Sequence, residues 1–520
     1  MNISRIGLLI GVALASISAS TPPSADLILR GGTIYTGSDA PFVGDVAIEG
    51  DHIVEVTPHV ARTAARVIDA HGMIVAPGFI DPHTHMGDDL ASDDPARRLI
   101  PMFLMQGVTT AFIGNDGGGA IDIGSVLDSA RTRPVGINYA SYTGFGTIRQ
   151  RVIGEAKRAP TPDELAQMQA LVATAMCQGA IGLSTGLFYA PQSFSRTDEV
   201  VALAAEAGKR GGFYDSHIRD ESSYTVGLLA AIDEEIEIAR AAHIPAHVSH
   251  IKALGVDVQG QAPAVIARIA AARAAGLNIT ASQYPWSASG SSMVASLVPL
   301  WAQDGARTAM LARFGDPTQA TRLRADMAEN MRKRGGPTKL LITEGAERNR
   351  TLAEVAAATG TDPITAAIAV IRVSDPGVIS FNQSEADIAA FMRQPWVMTD
   401  SDASPGHPRV YGSFARKYAK YVVADHVLTL REMIERSSSL TADTFGLTGR
   451  GHLKAGAFAD VVVFDPRRYA PRATYEKPTE LAVGIQTVLV NGILAVDGGK
   501  LTGRAAGRAL PHHPPAGTCP

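Results

Sequence analysis

Hydrophobic and polar positions alternate with period two over the first part of the chain. Asp26-Leu27-Ile28-Leu29, Thr33-Ile34-Tyr35, Val46-Ala47-Ile48 and Ile53-Val54-Glu55-Val56 read as strands. Gly31-Gly32 and Glu49-Gly50-Asp51 punctuate them as turns, which predicts a small antiparallel sheet over 26–75. The pattern returns near the C-terminus over 451–505. Gly456 to Asp465 is a turn feeding a strand, and Val488 to Val496 is a hairpin around Asn491-Gly492. From 76 to 450, short apolar runs such as Thr109–Ile113 and Ile181–Ser184 alternate with helical stretches such as Asp163–Gln178 and Val200–Arg210. Strand–helix alternation on this scale predicts an α/β fold with a parallel sheet. A (β/α)8 barrel suits the length, with a small β-sandwich domain built from both chain ends.

Composition narrows the classes. The chain has 520 residues, 46% hydrophobic and 19% charged, with 51 Gly and 30 Pro, which is globular composition. A net charge of −4 from 47 basic and 51 acidic residues leaves no polybasic footprint, so nucleic acid is not an expected partner. Cys177 and Cys519, the two cysteines, lie far apart along the chain, so no disulfide is expected. Met1 to Ser20 combines a basic start, a short apolar run from Ile6 to Ile17 and small residues after it. That describes a secretory signal over 1–20 and an exported protein, periplasmic or secreted, without a membrane anchor. Residues 293–350 carry no readable motif and are expected to form a lid. The basic run Arg332-Lys333-Arg334 within them reads as a solvated helix face, and 506–520 as a tail.

Candidate chemistry clusters where apolar strands end. Ala76 to Asp81 leads into Pro82-His83-Thr84-His85, two imidazoles spaced i, i+2 that aim into one space, a site for a divalent metal of the zinc type. Asp116 follows the strand through Ile113 and precedes Gly117-Gly118-Gly119; a phosphate cradle there is the weaker reading. His217 and His250 end two further strands, with His247 facing the other way as a packed or exposed residue. Asp402, in Thr399-Asp400-Ser401-Asp402, is positioned to take a proton from a metal-activated water and pass it to a leaving nitrogen.

In order, these segments resemble the amidohydrolase superfamily, and more narrowly its D-aminoacylase (N-acyl-D-amino-acid deacylase) family. Gly182 to Pro191, His217-Ile218-Arg219-Asp220-Glu221, Ser249-His250-Ile251-Lys252, Gln283-Tyr284-Pro285-Trp286 and His407 to Gly412 carry the likeness along with His83 and His85. The resemblance implies one or two Zn2+ ions held by His217, His250, His83 and His85, and a general acid/base at Asp402. It further implies a substrate carboxylate held by Lys252, Tyr284, Ser289 or Ser291, and Arg409, with Tyr189 and Phe145 beside the substrate. Asp116 stands where the family usually has a metal-binding cysteine, and a hard carboxylate bridges two ions readily and accepts other divalent metals. Gly144-Phe145-Gly146 replaces a Gly-His-Gly segment, and the loop from Asp402 to Arg409 is shorter than usual. The implied activity is hydrolysis of N-acyl-D-amino acids or of small dipeptides with a C-terminal D-residue. A cyclic-amide hydrolase of the hydantoinase or dihydroorotase kind is the second reading, but no lysine ends a candidate strand to serve as a carboxylated bridge. A non-catalytic binding protein on the same scaffold would be expected to have lost the ligands that this chain keeps.

Overall fold

The computed structural model describes residues 24–519, so the leader expected at 1–20 lies outside the described residues. The first layer contains β1 (Ala25–Ile34), β2 (Phe42–Glu49), β3 (His52–Thr57), β4 (Ala64–Asp69) and β5 (Ile74–Pro77). Strand β1 runs through Gly31-Gly32, where the sequence pattern predicts a turn. Its register against β2 slips between Leu29 and Gly32, Gly31 sits at φ +72°, and the Gly31 N–H donates to Asp45 Oδ1 at 2.9 Å. The glycines make a bulge, because a left-handed residue can be inserted without ending the ladder. Strand β1 also pairs parallel with β4 and β5, so the layer is mixed rather than antiparallel.

The central body follows as β6 (Phe79–Asp81), β7 (Val108–Ile113), β8 (Asn138–Ser141), β9 (Thr143–Gly144), β10 (Gly182–Gly186), β11 (Phe213–His217), β12 (Ala246–Val248) and β13 (Ile279–Gln283). An insert then carries β14 (Ala288–Ser292), β15 (Leu340–Ile342) and β16 (Gly377–Phe381), before β17 (Val397–Thr399) returns to the body. Strands β6-β7-β8 and β9-β10-β11-β12-β13-β17 pair in parallel, and β8 and β9 are one stretch broken at Tyr142. A parallel bridge between Thr84 and Ala403, with Asp402 N–H on the His83 carbonyl at 3.1 Å, joins the two edges into an eight-position barrel. Helices cover it outside. The helix Pro162–Cys177 starts at a capping box in which Thr161 Oγ1 accepts from the Glu164 N–H and the Glu164 carboxylate accepts from the Thr161 N–H.

The insert has its own antiparallel sheet, ordered β14-β16-β15, and its own apolar core including Met293, Leu297, Met327, Leu340, Ile371 and Val378. The lid expected over 293–350 is therefore part of a larger unit that extends from Ala288 to Phe381. The basic run there is also corrected in part. Arg332 is exposed and paired with Asp257 and Glu329, whereas Arg334, past the end of the helix Ala320–Lys333, is buried.

Strands β18 (Val461–Phe464), β19 (Ile485–Val490), β20 (Ile493–Asp497) and β21 (Lys500–Leu501) complete the first layer, β18 pairing antiparallel with β5. Val490 pairs with Ile493 across Asn491-Gly492, both at positive φ, as a two-residue hairpin turn requires. The tail is not free. Gly507, Leu510 and His512 donate backbone hydrogen bonds to Val135, Tyr139 and Gly179, and Cys519 is disulfide-bonded to Cys177. The expectation of no disulfide fails because 342 residues of separation say nothing about distance once the chain folds back. The tail crosses the barrel's lower side and reaches the end of the helix that carries Cys177. Among the described residues no single helix is long and apolar enough to cross a membrane.

Candidate metal centre and substrate cavity

Five barrel strands deliver their C-terminal ends to one point, the place where the loops of this architecture carry chemistry. His83 and His85 follow β6, Asp116 follows β7, His217 ends β11, His250 follows β12 and Asp402 follows β17. Asp116 is central. Its Oδ1 lies 3.4 Å from His83 Nε2 and 3.6 Å from His250 Nε2, and its Oδ2 lies 3.6 Å from His85 Nε2 and 3.7 Å from His217 Nδ1. Two donor triads share it, His83/His85/Asp116 and Asp116/His217/His250, each with ligand atoms within 4.8 Å of one another. Asp402 Oδ1 stands 3.3 Å from His85 Nε2 and 3.8 Å from His83 Nε2, and forms a third triad with His83 and His250.

Asp116, His250 and Asp402 have φ of +55°, +36° and +45°, a conformation that costs free energy in residues with a side chain. Strand alternation therefore does not aim these three groups; left-handed turns just beyond the strands do. The glycines after Asp116 serve the same turn, where the chain passes close to its neighbours. A Cβ on Gly119 would fall 2.2 Å from the Tyr142 carbonyl oxygen, and one on Gly117 would strike Gln192. His247 points away, its Nδ1 2.9 Å from Thr280 Oγ1 and its ring against Phe445.

The donor set fits a divalent cation. Both ring nitrogens of His83 and Oδ1 of Asp116 are buried without a hydrogen-bond partner, which is costly unless something else satisfies them. Burial holds the His83 imidazole well below its ordinary pKa, against the opposing pull of Asp116 and Asp402. Burial opposes ionisation of Asp116, but His83, His217 and His250 together hold its carboxyl well below the usual range. Imidazole nitrogens and one carboxylate around each position are the ligands that zinc accepts.

One important group lies outside the residues picked out from sequence. Glu221 Oε1 is 3.1 Å from His250 Nδ1 and accepts a hydrogen bond from Lys252 Nζ, while Oε2 is 3.7 Å from His217 Nε2. It faces the far side of both imidazoles from Asp116, where a carboxylate fixes ring orientation and tautomer. The signal for it was its i, i+4 spacing from His217 in the polar burst His217 to Glu221.

Asp116, His85, His217, His250 and Asp402 open onto a cavity of about 430 Å³. Lys252, Ser289, Ser291, Arg409 and Tyr189 line it, and Phe188, Tyr224 and Arg334, none of them expected from sequence as a site residue, line it too. Arg409 Nη1 is 2.8 Å from Asp402 Oδ2, and its Nη2 donates to Ser404 Oγ. Tyr284 lies behind the lining, its ring 4.9 Å from Arg409 Cζ and 5.5 Å from Lys252 Nζ. Phe145 is a correction. It is fully buried in the main apolar core and is absent from the cavity wall, because it starts the helix Phe145–Ile153 facing inward. Burial opposes ionisation of Asp402, but Arg409 and the neighbouring histidines hold its carboxyl well below the usual range, so it is a carboxylate.

A parallel barrel, histidines and acids at its strand ends and a β layer from both termini define a metal-dependent hydrolase of the amidohydrolase type. Comparison with known proteins narrows this. Residues 126–496 match the amidohydrolase family. D-aminoacylase of Alcaligenes xylosoxydans xylosoxydans is 32% identical over 95% of this chain and 99% of its own length, and N-acyl-D-glutamate deacylase of the same organism is 31% identical over 90% and 93%. A crystal structure of D-aminoacylase superposes with a TM-score of 0.80 at 30% identity, covering 94% of this chain and all of that one. N-acyl-D-glutamate deacylase from Bordetella bronchiseptica, solved with zinc and a phosphonate mimic of the tetrahedral intermediate, gives the same values. D-hydantoinase, at 14% identity and a TM-score of 0.56, shares the fold alone. The chain belongs to the amidohydrolase superfamily and, within it, to the D-aminoacylase family.

Proposed function

We propose that this chain is an exported deacylase that hydrolyses the amide bond of N-acyl-D-amino acids, or of small dipeptides ending in a D-residue, with one or two zinc-type ions. The observation that carries it is the convergence of His83, His85, Asp116, His217, His250 and Asp402 on one cavity that also holds Lys252 and Arg409. His217, His250 and Asp116 would hold one cation, and His83, His85 and Asp116 a second. A cation bound there supplies an acidified water and polarises the scissile carbonyl. Asp402, ionised and 3.3 Å from His85, takes the proton of the attacking water and returns it to the departing nitrogen. Arg409 and Lys252 offer the cations that a substrate carboxylate needs, Arg409 with a fork that matches it. In the structure each is neutralised by an acid, Asp402 and Glu221 respectively, so neither carries an unbalanced buried charge when the cavity holds no carboxylate. Phe188, Tyr189 and Tyr224 form an aromatic wall that limits water at the reacting bond.

Relatives act on N-acyl-D-amino acids by name, which supports the substrate class. The Cys177–Cys519 disulfide supports export independently of the leader, since disulfides persist in oxidising compartments. The test pairs metal analysis with hydrolysis of N-acetyl-D-amino acids and their L-forms. Turnover of the D-forms in proportion to bound metal is expected; equal turnover of both enantiomers would refute the assignment.

A further inference from the structure

We propose that the cavity contains a second carboxylate subsite built on Arg334, so that the preferred substrates are dicarboxylic: N-acyl derivatives of D-glutamate or D-aspartate, or N-dicarboxylyl D-amino acids such as N-succinyl compounds. The inference rests on the deacylase reading above and specifies its substrate. Arg334 is 2% exposed and lines the cavity. Its Nε donates to the Ser296 carbonyl and its Nη1 to Ser380 Oγ at 3.0 Å. Tyr224 stands beside the guanidinium, and both residues line the cavity. Among the described residues its guanidinium has no carboxylate partner; its polar contacts are the two neutral oxygens of Ser296 and Ser380, and the Tyr224 ring lies 5.5 Å from Cζ.

An unpaired buried cation is expensive, and the other two cations of this cavity show the ordinary solution. Lys252 is paired with Glu221 and Arg409 with Asp402, both at the metal end. Arg334 comes from the insert instead. An aromatic wall, Phe188 stacked near His217 and Tyr224 near Phe188, runs from the metal ligands toward it. A substrate whose first carboxylate engages Lys252 and Arg409 would thus present a second anion to Arg334, which binds carboxylates through parallel N–H donors. Glu344 also lines the cavity, but it is exposed at the mouth, where solvent screens it.

The second carboxylate can belong to the amino-acid side chain or to the acyl group, and a substrate panel separates them. The wild-type enzyme is assayed for kcat/KM on N-acetyl-D-glutamate against its neutral isostere N-acetyl-D-glutamine, and on N-succinyl-D-leucine against N-acetyl-D-leucine. One charged member should exceed its neutral partner by about tenfold or more, as loss of a charge-assisted bond implies. In Arg334→Gln that ratio should fall to about one, and Arg334→Lys should retain part of it. Neutral substrates matching or exceeding both charged ones in the wild type would overturn the subsite and leave the deacylase reading intact. So would an Arg334→Gln variant that loses charged and neutral activity equally. No turnover of any of the four would overturn both.

Discussion

Replacing Glu221 with glutamine should weaken the metal centre without touching a ligand. The carboxylate is 3.1 Å from His250 Nδ1 and 3.7 Å from His217 Nε2, on the side of each ring away from Asp116. It also neutralises Lys252, whose Nζ is 2.7 Å from His250 Nδ1. Burial opposes its ionisation, but Lys252, His217 and His250 hold its pKa well below the usual range, so the native group is a charged acceptor. Glutamine keeps the shape and one acceptor but removes the charge that raises ligand basicity. Loss of such a partner costs about 10- to 100-fold in metal affinity, which is ~1.4–2.7 kcal/mol. Two imidazoles depend on this one group, and the Lys252 ammonium would be left unopposed beside a ligand, so the upper end is expected. Competition with a chromophoric chelator measures the dissociation constant directly, and a circular dichroism melt of the metal-free protein reports folding. An affinity within twofold of wild type, in a variant that melts normally, would refute the positioning role of Glu221.

Other consequences follow from the same geometry. Asp402→Asn should lower kcat by about 10²- to 10⁴-fold while the Asp116/His217/His250 position still binds metal; retained activity would refute Asp402 as the proton carrier. Asp116→Asn should reduce metal content more than any single histidine change, because both triads share Asp116; full occupancy by metal analysis would refute the bridge. Asp400 is fully buried, and burial followed by the charge of Asp402 pushes its carboxyl up to about 7. The folded state then holds a proton that the unfolded chain, with a pKa of about 3.9, releases first, so stability falls as pH rises from about 4 to 7. In Asp400→Asn the denaturation midpoint should depend less on pH over that window, and an unchanged slope would refute the shift. Cys177→Ser should release the tail and cost about 2–4 kcal/mol, read as a lower midpoint in denaturant and faster amide exchange near Arg508 and Leu510; identical midpoints would show that the tail's hydrogen bonds suffice.

Much of this molecule was legible in one dimension because its cues are local. The Asn491-Gly492 hairpin and the apolar runs that became β7 and β10 each depend on residues within a few positions of one another. Histidines at strand ends were readable for the same reason, since a barrel exposes those ends on one face. Other features needed long-range neighbours. Gly31-Gly32 reads as a turn until β2 and Asp45 are placed beside it. Phe145 sits in a motif next to the site, yet the inward face of its helix sends it to the core.

The order and chemical type of the residues alone determined the barrel, the two-ended β layer and the identity of the metal-seeking side chains, because strand period, turn chemistry and donor atoms are properties of short segments. Only the tertiary structure decided that Asp116 lies between both histidine pairs, that Glu221 backs two of them, that Cys519 meets Cys177, and that Arg334 is a buried cation rather than part of a wet helix face. Those facts are distances between residues remote in the chain. A sequence carries no distances of that kind until packing brings the segments together.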